Sequence, residues 1–456
     1  MADIIAEIAG ALGADLVLAG DDLASYARDA DGPVQAPLGL VRPRTTGEVA
    51  AVLRMAHAAG ASVVPWGGRT GLVDGTAARG SIALSLERMN AIEDIDPRAS
   101  TMRVQAGAIV QTACEAAAKQ GLFLPLDFGA RGSATIGGAI STNAGGNHVI
   151  RYGMMRDMVL GVEAVLANGE IVDCLRPLIK NNTGYDLKQL FIGSEGTLGV
   201  VTRALLRLRP LPSSQDVALV GAASFADVVS LLRLLERELG GALSAFEVMW
   251  PDFFQLVTSA PAKGASPLQG QHAFYVLVEA LGYREAVDAP LFADVLEQAL
   301  TSGLIEDAVI AKSKAERTAL WALRDDVMQL GRLGPIVAFD VSLQIDDMEA
   351  YVARTHRALQ ERWPNASLVV FGHLGDGNLH LIAGVGDRGA DHAIEDIVYG
   401  GLAGINGSIS AEHGIGLRKR AYLHLSRSPT EIALMRSIKT ALDPKGVLNP
   451  GKVIPP

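Results

Sequence analysis

The chain has 456 residues, a net charge of −10 and only two cysteines, Cys114 and Cys174. Hydrophobic residues make up 49% and charged residues 20%, which indicates a globular protein, and the length predicts two or three domains. The negative charge, without a Lys/Arg-rich run, argues against nucleic-acid binding. No apolar run reaches the ~20 residues that span a bilayer. Two cysteines exclude a disulfide framework and a cysteine-based zinc site, and they fit a reducing compartment.

The N-terminal stretch, MADIIAEIAGALGADLVLAG, is acidic and contains no arginine. It therefore resembles neither a secretory signal nor an Arg-rich transit peptide, and it predicts an amphipathic helix that starts the fold. We expect a cytoplasmic protein, with peripheral association with the inner membrane as the alternative.

The predicted elements change in character along the chain. From about residue 40 to 210, short β-rich runs alternate with a few helices and many glycine-rich loops, and Asn168-Gly169 joins two strands as a hairpin. The proline-punctuated stretch RLRPLPSSQD, residues 207–216, marks a domain boundary. Beyond it, strand and helix patterns alternate, which predicts an antiparallel sheet with helices on one face and an α+β fold.

Three glycine-rich loops stand out in the first half of the chain. They read PWGGRTGL (65–72), PLDFGARGSATIGGAISTNAGGN (125–147) and IGSEGTLGV (192–200). Glycines let backbone N–H groups approach a phosphate closely, because no Cβ intervenes. Ordinary turns explain any one such loop about as well, but three in one domain favour a cofactor cradle. None has the spacing of a Rossmann fingerprint or of a P-loop.

These loops resemble the FAD domain of the flavoprotein family of vanillyl-alcohol oxidase and p-cresol methylhydroxylase. The closer resemblance is to its D-2-hydroxyacid dehydrogenase branch, with D-lactate dehydrogenase, D-2-hydroxyglutarate dehydrogenase and the glycolate oxidase flavin subunit. The resemblance covers nearly the whole chain in at least five ordered motifs. It implies an α+β fold: a PCMH-type FAD-binding domain of two subdomains at 1–212, an antiparallel-sheet-and-helix substrate (cap) domain at 213–419, and a segment at 420–456 packing back on the FAD domain.

The resemblance also implies which residues contact FAD. The first loop would line the pyrophosphate, the second the flavin side, and the third would lie near the cofactor, with the closing motif LDPKGVLNPGK near the flavin edge. Some relatives attach FAD through a histidine in the first loop, which here contains Arg69 and no histidine, so we expect non-covalent FAD. The expected contacts are Pro65, Gly67, Gly68, Arg69, Thr70, Gly71, Leu72, Gly132, Ser133, Thr135, Gly137, Gly138, Ser141, Asn143, Ala144, Gly145, Glu195, Gly196, Val200 and Asn449.

A second signal is the pair of histidines in VVFGHLGDGNLHLIAGV, residues 369–385. If the glycines between His373 and His380 fold the chain back, the two imidazoles become neighbours across a hairpin and can bind one metal ion. Glu412, in SAEHGIG, would complete a His₂Glu set suited to zinc or manganese. Histidines near a turn are more often surface residues, but the glycines and the downstream Glu-His pair favour a metal site. The resemblance implies the same three ligands.

The expected chemistry is the removal of a hydroxyl proton and a Cα hydride from a 2-hydroxy acid, with the hydride going to flavin N5. The resemblance places the catalytic base at His413, and a neutral imidazole suits that task near pH 7. Arg324, in WALRDD, would hold the substrate carboxylate, and Asn378 is the second expected anchor. An arginine beside two aspartates is commonly a solvated charge, and the resemblance favours the binding role.

Two positions bear on the substrate. The D-2-hydroxyglutarate relatives carry a Thr four residues after this arginine and a Lys two residues before the Asp of the next strand, where this chain has Met328 and Ala338. These residues predict an apolar pocket for the substrate side chain. The predicted substrate is therefore D-lactate or another D-2-hydroxy acid with an apolar side chain, because a second buried carboxylate would be poorly paired. A D-2-hydroxyglutarate dehydrogenase and an oxygen-using oxidase of the same fold are alternatives.

A non-catalytic flavin-fold subunit is the remaining alternative, and the intact set of histidines and Glu412 argues against it. The natural electron acceptor stays open between electron-transfer flavoprotein, cytochrome c and a quinone. A homodimer is one option for the oligomeric state.

Overall fold

The computed structural model describes residues 2–26, 28–29, 32–33, 35–262 and 264–455. The chain forms two compact units. The first comprises Met1–Gly146, Gly153–Leu211 and Glu412–Pro456, and the second comprises Asn147–Tyr152 and Pro212–Ala411. The expected boundary after residue 212 lies beside the change of unit after Leu211, whereas the expected boundary after residue 419 lies inside the last segment of the first unit.

The first unit is built mostly from short strands. In chain order they are β1 (Val17–Leu18), β2 (Arg28–Asp29), β3 (Gly32–Pro33), β4 (Gly39–Val41), β5 (Val63–Trp66), β6 (Ile82–Ser85), β7 (Ile92–Asp96), β8 (Thr101–Gln105), β9 (Leu122–Phe123), β10 (Val159–Val165), β11 (Ile171–Asp173), β12 (Val200–Arg207) and β13 (Arg209–Pro210). Its helices are α1 (Ala2–Leu12), α2 (Thr46–Ala59), α3 (Val110–Ala118), α4 (Ile136–Thr142), α6 (Met155–Met158) and α13 (Pro429–Leu442), whereas α5 (Val149–Tyr152) belongs to the second unit.

Two sheets organise the first unit. One has the strand order β1-β4-β6-β5, with β4 and β5 parallel to the central β6, and Val63 of β5 forms a parallel bridge to Leu448. The other is antiparallel, in the order β11-β10-β12-β8-β7. The predicted hairpin is confirmed: Val165 pairs with Ile171, and Gly169 has φ +82°, a conformation that glycine adopts without steric cost.

The second unit has longer strands and helices. The strands are β14 (Ser214–Ala222), β15 (Leu243–Met249), β16 (Phe274–Gly282), β17 (Asp307–Ile310), β18 (Ile336–Ser342), β19 (Ser367–His373) and β20 (Asn378–Gly384). The helices besides α5 are α7 (Phe225–Glu238), α8 (Pro251–Thr258), α9 (Glu285–Thr301), α10 (Lys314–Asp325), α11 (Ile345–Arg362) and α12 (Asp391–Gly400). Among all described residues, no helix is both long and apolar enough to cross a membrane.

These strands form one antiparallel sheet in the order β17-β14-β16-β15-β19-β20-β18, as the sequence predicted. Helices α8 and α10 pack on one face, against a core that includes Met249, Leu277, Val369 and Phe371. Helices α7 and α9 also contact the sheet. Every residue of β16 is buried, and successive strand residues point to opposite faces. Both faces are therefore covered, rather than the single face that the sequence predicted.

Candidate active site

A row of polar side chains crosses adjacent strands on one face of the second unit's sheet. Residues that are directly paired on neighbouring strands point to the same face. Glu247 pairs with His373, and His380 pairs with both Phe371 and Asp340. Because residues 371 and 373 share a face of β19, the register aligns Glu247, His373, His380 and Asp340 across four adjacent strands, on the face that α8 and α10 cover.

The two histidines meet across the predicted hairpin. A short 3₁₀ turn follows His373, and Gly377 ends it with φ +84°, the left-handed conformation that returns the chain into β20. A Cβ at Gly375 would meet Ile150 Cδ1 at 2.4 Å, so a larger residue there would force the Ile150 side chain to move. The imidazole centroids of His373 and His380 lie 5.3 Å apart, with the rings nearly perpendicular.

A buried glutamate joins one histidine to the expected substrate-binding arginine. The Nδ1 atom of His373 lies 2.7 Å from Glu247 Oε1, and Arg324 Nε donates to Glu247 Oε2 at 2.8 Å. Glu247 is 0% exposed and Arg324 is 6% exposed. Burial raises the pKa of Glu247, but the charges and hydrogen bonds of His373 and Arg324 outweigh it and hold this pKa below its ordinary value.

The sequence analysis did not identify Glu247, although the sequence around this residue contains a weak signal. In LSAFEVM the glutamate is the only charged residue of a strand that is buried throughout. A charge in a fully buried strand requires partners, because burying an unpaired carboxylate costs several kcal/mol. The sequence could therefore have predicted that this residue is paired, but not with which side chains.

Glu412, the third expected ligand, is the residue directly after the end of this unit. Ala411, its last residue, donates its N–H to Asp340 O at 3.4 Å, and Glu412 is bonded to Ala411. One possible ligand atom from each of His373, His380 and Glu412 lies within 4.8 Å of the other two. Two imidazole nitrogens and a carboxylate oxygen are a donor set that zinc or manganese accepts. The bond to Glu247 uses Nδ1 of His373, so Nε2 is the nitrogen on the side of the other two ligand residues, and this donor set fits a metal ion.

Asn378 begins β20 and is 3% exposed, yet within the described part of the chain neither its Nδ2 nor its Oδ1 has a hydrogen-bond partner. Buried amides are nearly always paired, so this pair of atoms fits a ligand contact. Met328 is 83% exposed and Ala338 is also exposed. Their exposure gives no support to an enclosed apolar pocket, and the role of Met328 in substrate binding stays a prediction.

In the first unit, Glu195 holds the loop that follows the expected catalytic base. Its carboxylate accepts from Ile415 N at 2.7 Å and from Gly416 N at 2.9 Å. A Cβ at Gly414 would meet Glu195 Oε1 at 2.7 Å. Burial raises the pKa of Glu195, although the two N–H donors oppose the shift. The sequence placed Glu195 near the cofactor; the structure uses its carboxylate to fix the residues just after His413.

The glycine loops and the closing motif meet in the first unit. Gly68 abuts the second loop, where an added Cβ would lie 2.1 Å from Ser133 O. The second and third loops are joined by Glu195 N, which donates to Ser141 O at 2.8 Å. The closing motif reaches the third loop through Asn449, whose Nδ2 donates to Glu195 O at 2.7 Å. Segments far apart in the sequence thus build one surface.

Several of these glycines serve loop packing rather than an open cradle. A Cβ at Gly67 would lie 2.5 Å from Thr135 Oγ1, and the same hydroxyl caps α4 by accepting from Gly138 N at 3.2 Å. By contrast, nothing lies within 4 Å of a Cβ at Gly71 or Gly132. The other expected cofactor residues lie on the same segments of the first unit: Pro65, Arg69, Thr70, Leu72, Gly137, Asn143, Ala144, Gly145, Gly196 and Val200.

Asn449 carries a buried hydrogen-bond acceptor that has no donor among the described residues. Asn449 is 2% exposed, and its Oδ1 has no hydrogen-bond partner among the residues that the structure describes. Arg69, in the first loop, adopts φ +55° and lies 4.4 Å from the centroid of the Trp66 ring. An unpaired buried acceptor fits a cofactor that carries N–H or O–H donors, as FAD does.

Comparison with known proteins agrees with this geometry. A model described as "FAD binding domain" matches residues 37–175, and one described as "FAD linked oxidases, C-terminal domain" matches residues 211–453. A mitochondrial D-2-hydroxyglutarate dehydrogenase of Bos taurus is 43% identical over 91% of this chain and 76% of its own length. A D-2-hydroxyglutarate dehydrogenase of Xanthomonas citri pv. viticola is 42% identical over 91% of this chain and 89% of its own length.

Solved structures agree on the fold. p-Cresol methylhydroxylase with substrate bound has a TM-score of 0.77 over 99% of this chain and 96% of its own, at 19% identity. At that identity the likeness concerns the fold alone, and it confirms the predicted architecture of a PCMH-type FAD-binding domain with a second α+β domain. The chain belongs to the FAD-linked oxidases, and within them to the FAD-dependent D-2-hydroxyacid dehydrogenases.

Proposed function

We propose that this dehydrogenase oxidises its D-2-hydroxy acid with the help of one divalent metal ion, zinc or manganese, bound by His373, His380 and Glu412. The observation that carries this proposal is the approach of their three ligand atoms to within 4.8 Å of one another. The buried Glu247 supports it, because a carboxylate on the far nitrogen of a histidine is the usual companion of a metal ligand.

When bound, FAD accepts a hydride and the metal ion acts as a Lewis acid on the substrate hydroxyl. His413 takes the hydroxyl proton, since a neutral imidazole is a suitable base near pH 7. Glu195 supports this role by holding the backbone at Ile415 and Gly416, which limits the freedom of the loop that carries His413. FAD is bound without a covalent link, because the first glycine loop contains no histidine.

Arg324 and Asn378 orient the substrate in this proposal. A guanidinium binds a carboxylate through paired N–H donors, and the bond is strong where water is excluded. Arg324 is 6% exposed and Asn378 is 3% exposed. Arg324 Nε donates to Glu247, and Arg324 Nη2 lies 3.3 Å from His373 Nε2. A carboxylate held there leaves the neighbouring hydroxyl close to the metal ligands.

D-2-hydroxyglutarate is the substrate that we propose first. Both relatives described above carry its name, at 43% and 42% identity. The sequence argument against it assumed that residues 328 and 338 enclose the side chain of the substrate, but Met328 is 83% exposed. A distal carboxylate that stays in water needs no paired cation. D-lactate is the second candidate, because neither position 328 nor position 338 supplies a polar partner for a second carboxylate.

The test is anaerobic reduction of the flavin, followed by absorbance, with D-2-hydroxyglutarate, D-lactate, D-2-hydroxybutyrate and L-lactate. We expect rapid bleaching by the D-acids, fastest with D-2-hydroxyglutarate, and none by L-lactate. Faster bleaching by D-lactate would reverse the order of the two substrates. The absence of bleaching with all four acids would contradict the proposed function and favour a non-catalytic subunit.

We further propose that the electrons leave through electron-transfer flavoprotein, cytochrome c or a quinone rather than to oxygen. A steady-state assay with oxygen as the sole acceptor tests this point. Turnover should be far slower than with an artificial dye, and equal rates would identify an oxidase.

A further inference from the structure

Glu247 occupies an unusual position in the second unit, because its two oxygens are divided between two functional side chains. Oε1 bonds to Nδ1 of His373 at 2.7 Å, and Oε2 accepts from Nε of Arg324 at 2.8 Å. The carboxylate is fully buried in β15, whose seven residues are all buried. It has no exposure to water that could satisfy it in place of these partners.

The bond to His373 determines which nitrogen of the imidazole faces a metal ion. A carboxylate next to Nδ1 keeps the proton on that nitrogen, so Nε2 carries the lone pair that can bind a metal ion. The bond to Glu247 also prevents the imidazole ring from rotating about its Cβ–Cγ bond. Removing such a partner from a metal site typically costs about 10–100-fold in metal affinity.

The bond to Arg324 fixes the guanidinium in the same frame. Its plane is held on one edge by Glu247 and lies over the Phe371 ring, with 4.9 Å from Cζ to the ring centroid. The metal ligand and the cation expected to bind the substrate carboxylate are therefore attached to a single buried group. A movement of that group would displace both.

We propose that Glu247 is a positioning residue that couples metal binding at His373 to carboxylate binding at Arg324. The inference rests on the proposed metal site, and it adds a dependence of metal affinity and substrate affinity on a residue that touches neither ligand. The other reading of Glu247 is a buried ion pair that serves stability alone. The two readings differ in what they predict for metal affinity in a folded variant.

The chain offers a matched control in Glu279. This residue lies on the neighbouring strand β16 and is 1% exposed. Its carboxylate accepts hydrogen bonds from Ser244 Oγ at 2.8 Å, Gln215 Nε2 at 2.8 Å and Trp321 Nε1 at 3.0 Å, and it lies 3.0 Å from His148 Nε2. The same substitution there disturbs an equally buried network that includes no proposed metal ligand.

The experiment compares Glu247→Gln with Glu279→Gln in the full chain with FAD bound. Each protein is stripped of metal and titrated with Zn²⁺ in competition with a coloured chelator, and KM for D-2-hydroxyglutarate is measured after remetallation. We expect Glu247→Gln to bind Zn²⁺ about 10–100-fold more weakly and to raise KM, while Glu279→Gln keeps the affinity of the original chain. Thermal unfolding of both variants monitors the structural damage.

Each outcome has a distinct meaning. Failure of the original chain to bind Zn²⁺, and Mn²⁺ in the same titration, would refute the proposed metal site itself. Zn²⁺ binding of unchanged strength in folded Glu247→Gln, or equal weakening in both variants, would refute the positioning role and leave the metal site standing. If Glu247→Gln does not fold, Glu247→Asp takes its place: it keeps the charge but shortens the reach, so unchanged Zn²⁺ affinity in that variant would also overturn the inference.

Discussion

Replacing Asn378 with leucine should stabilise the ligand-free protein while damaging the enzyme. The amide is 3% exposed, and its two polar atoms have no hydrogen-bond partner among the described residues. An unsatisfied buried polar group costs about 1–3 kcal/mol, and leucine has the same branching and the same number of side-chain heavy atoms without that cost. We therefore expect the free energy of unfolding to rise by about 1–3 kcal/mol. For a unit of this size, each kcal/mol corresponds to roughly 2–4 °C in the midpoint of thermal unfolding.

The same substitution removes a hydrogen bond to a charged substrate. Such a bond contributes about 1.5–3 kcal/mol, so kcat/KM should fall by about 10–150-fold. The assays are urea unfolding of the ligand-free protein and steady-state oxidation of D-2-hydroxyglutarate with a dye as acceptor. A gain in stability together with a loss of activity is the signature of a polar group retained for a ligand.

Ser244→Ala is the control, because Ser244 is 0% exposed but its hydroxyl donates to Glu279 at 2.8 Å. Losing that bond should destabilise the protein and leave kcat/KM nearly unchanged. If Asn378→Leu behaves like Ser244→Ala, losing stability without losing activity, then the amide is a paired structural group and the reasoning fails.

Two further predictions concern charged groups. Arg324→Lys keeps the charge but loses the planar fork of donors, so KM for the 2-hydroxy acid should rise about 10–150-fold. Arg317→Lys, on the same helix, is the control and should leave KM unchanged. Equal KM values for Arg324→Lys and the original chain would exclude a carboxylate-binding role. Burial lowers the pKa of Lys452 from its ordinary 10.5 to about 8. Between these two pH values the native state therefore binds fewer protons than the unfolded chain. The contribution of Lys452 to the free energy of unfolding should increase from pH 8 to 10.5. Urea unfolding at both pH values should show a smaller rise in Lys452→Met, and an identical rise would place the titration elsewhere.

The parts of the site that the sequence predicted are local. The turn between His373 and His380 could be predicted because its glycines lie between the two histidines, and Gly377 takes the left-handed conformation that such a turn requires. The hairpin at Asn168-Gly169 was predictable for the same reason. Neither needed any knowledge of how distant segments pack.

The parts that the sequence could not predict depend on packing between distant residues. Glu247 is 126 positions from His373, and a single glutamate in an apolar strand does not reveal its partner. Segment 147–152 lies within the FAD-domain part of the sequence but joins the second unit, where His148 contacts Glu279 and Arg151 donates to two backbone carbonyls. The exposure of Met328 likewise depends on tertiary structure, which the local sequence does not reveal.

The most direct test of the account is the rate of flavin bleaching by D-2-hydroxyglutarate in the metal-free enzyme. The enzyme is treated with a chelator, dialysed, and mixed anaerobically with substrate, with and without added Zn²⁺ or Mn²⁺, and its FAD content is measured to verify that the flavin remains bound. We expect bleaching to be lost with the metal and to return when either ion is restored. Bleaching at an unchanged rate in protein free of metal would contradict the assignment of His373, His380 and Glu412 as ligands of a catalytic ion.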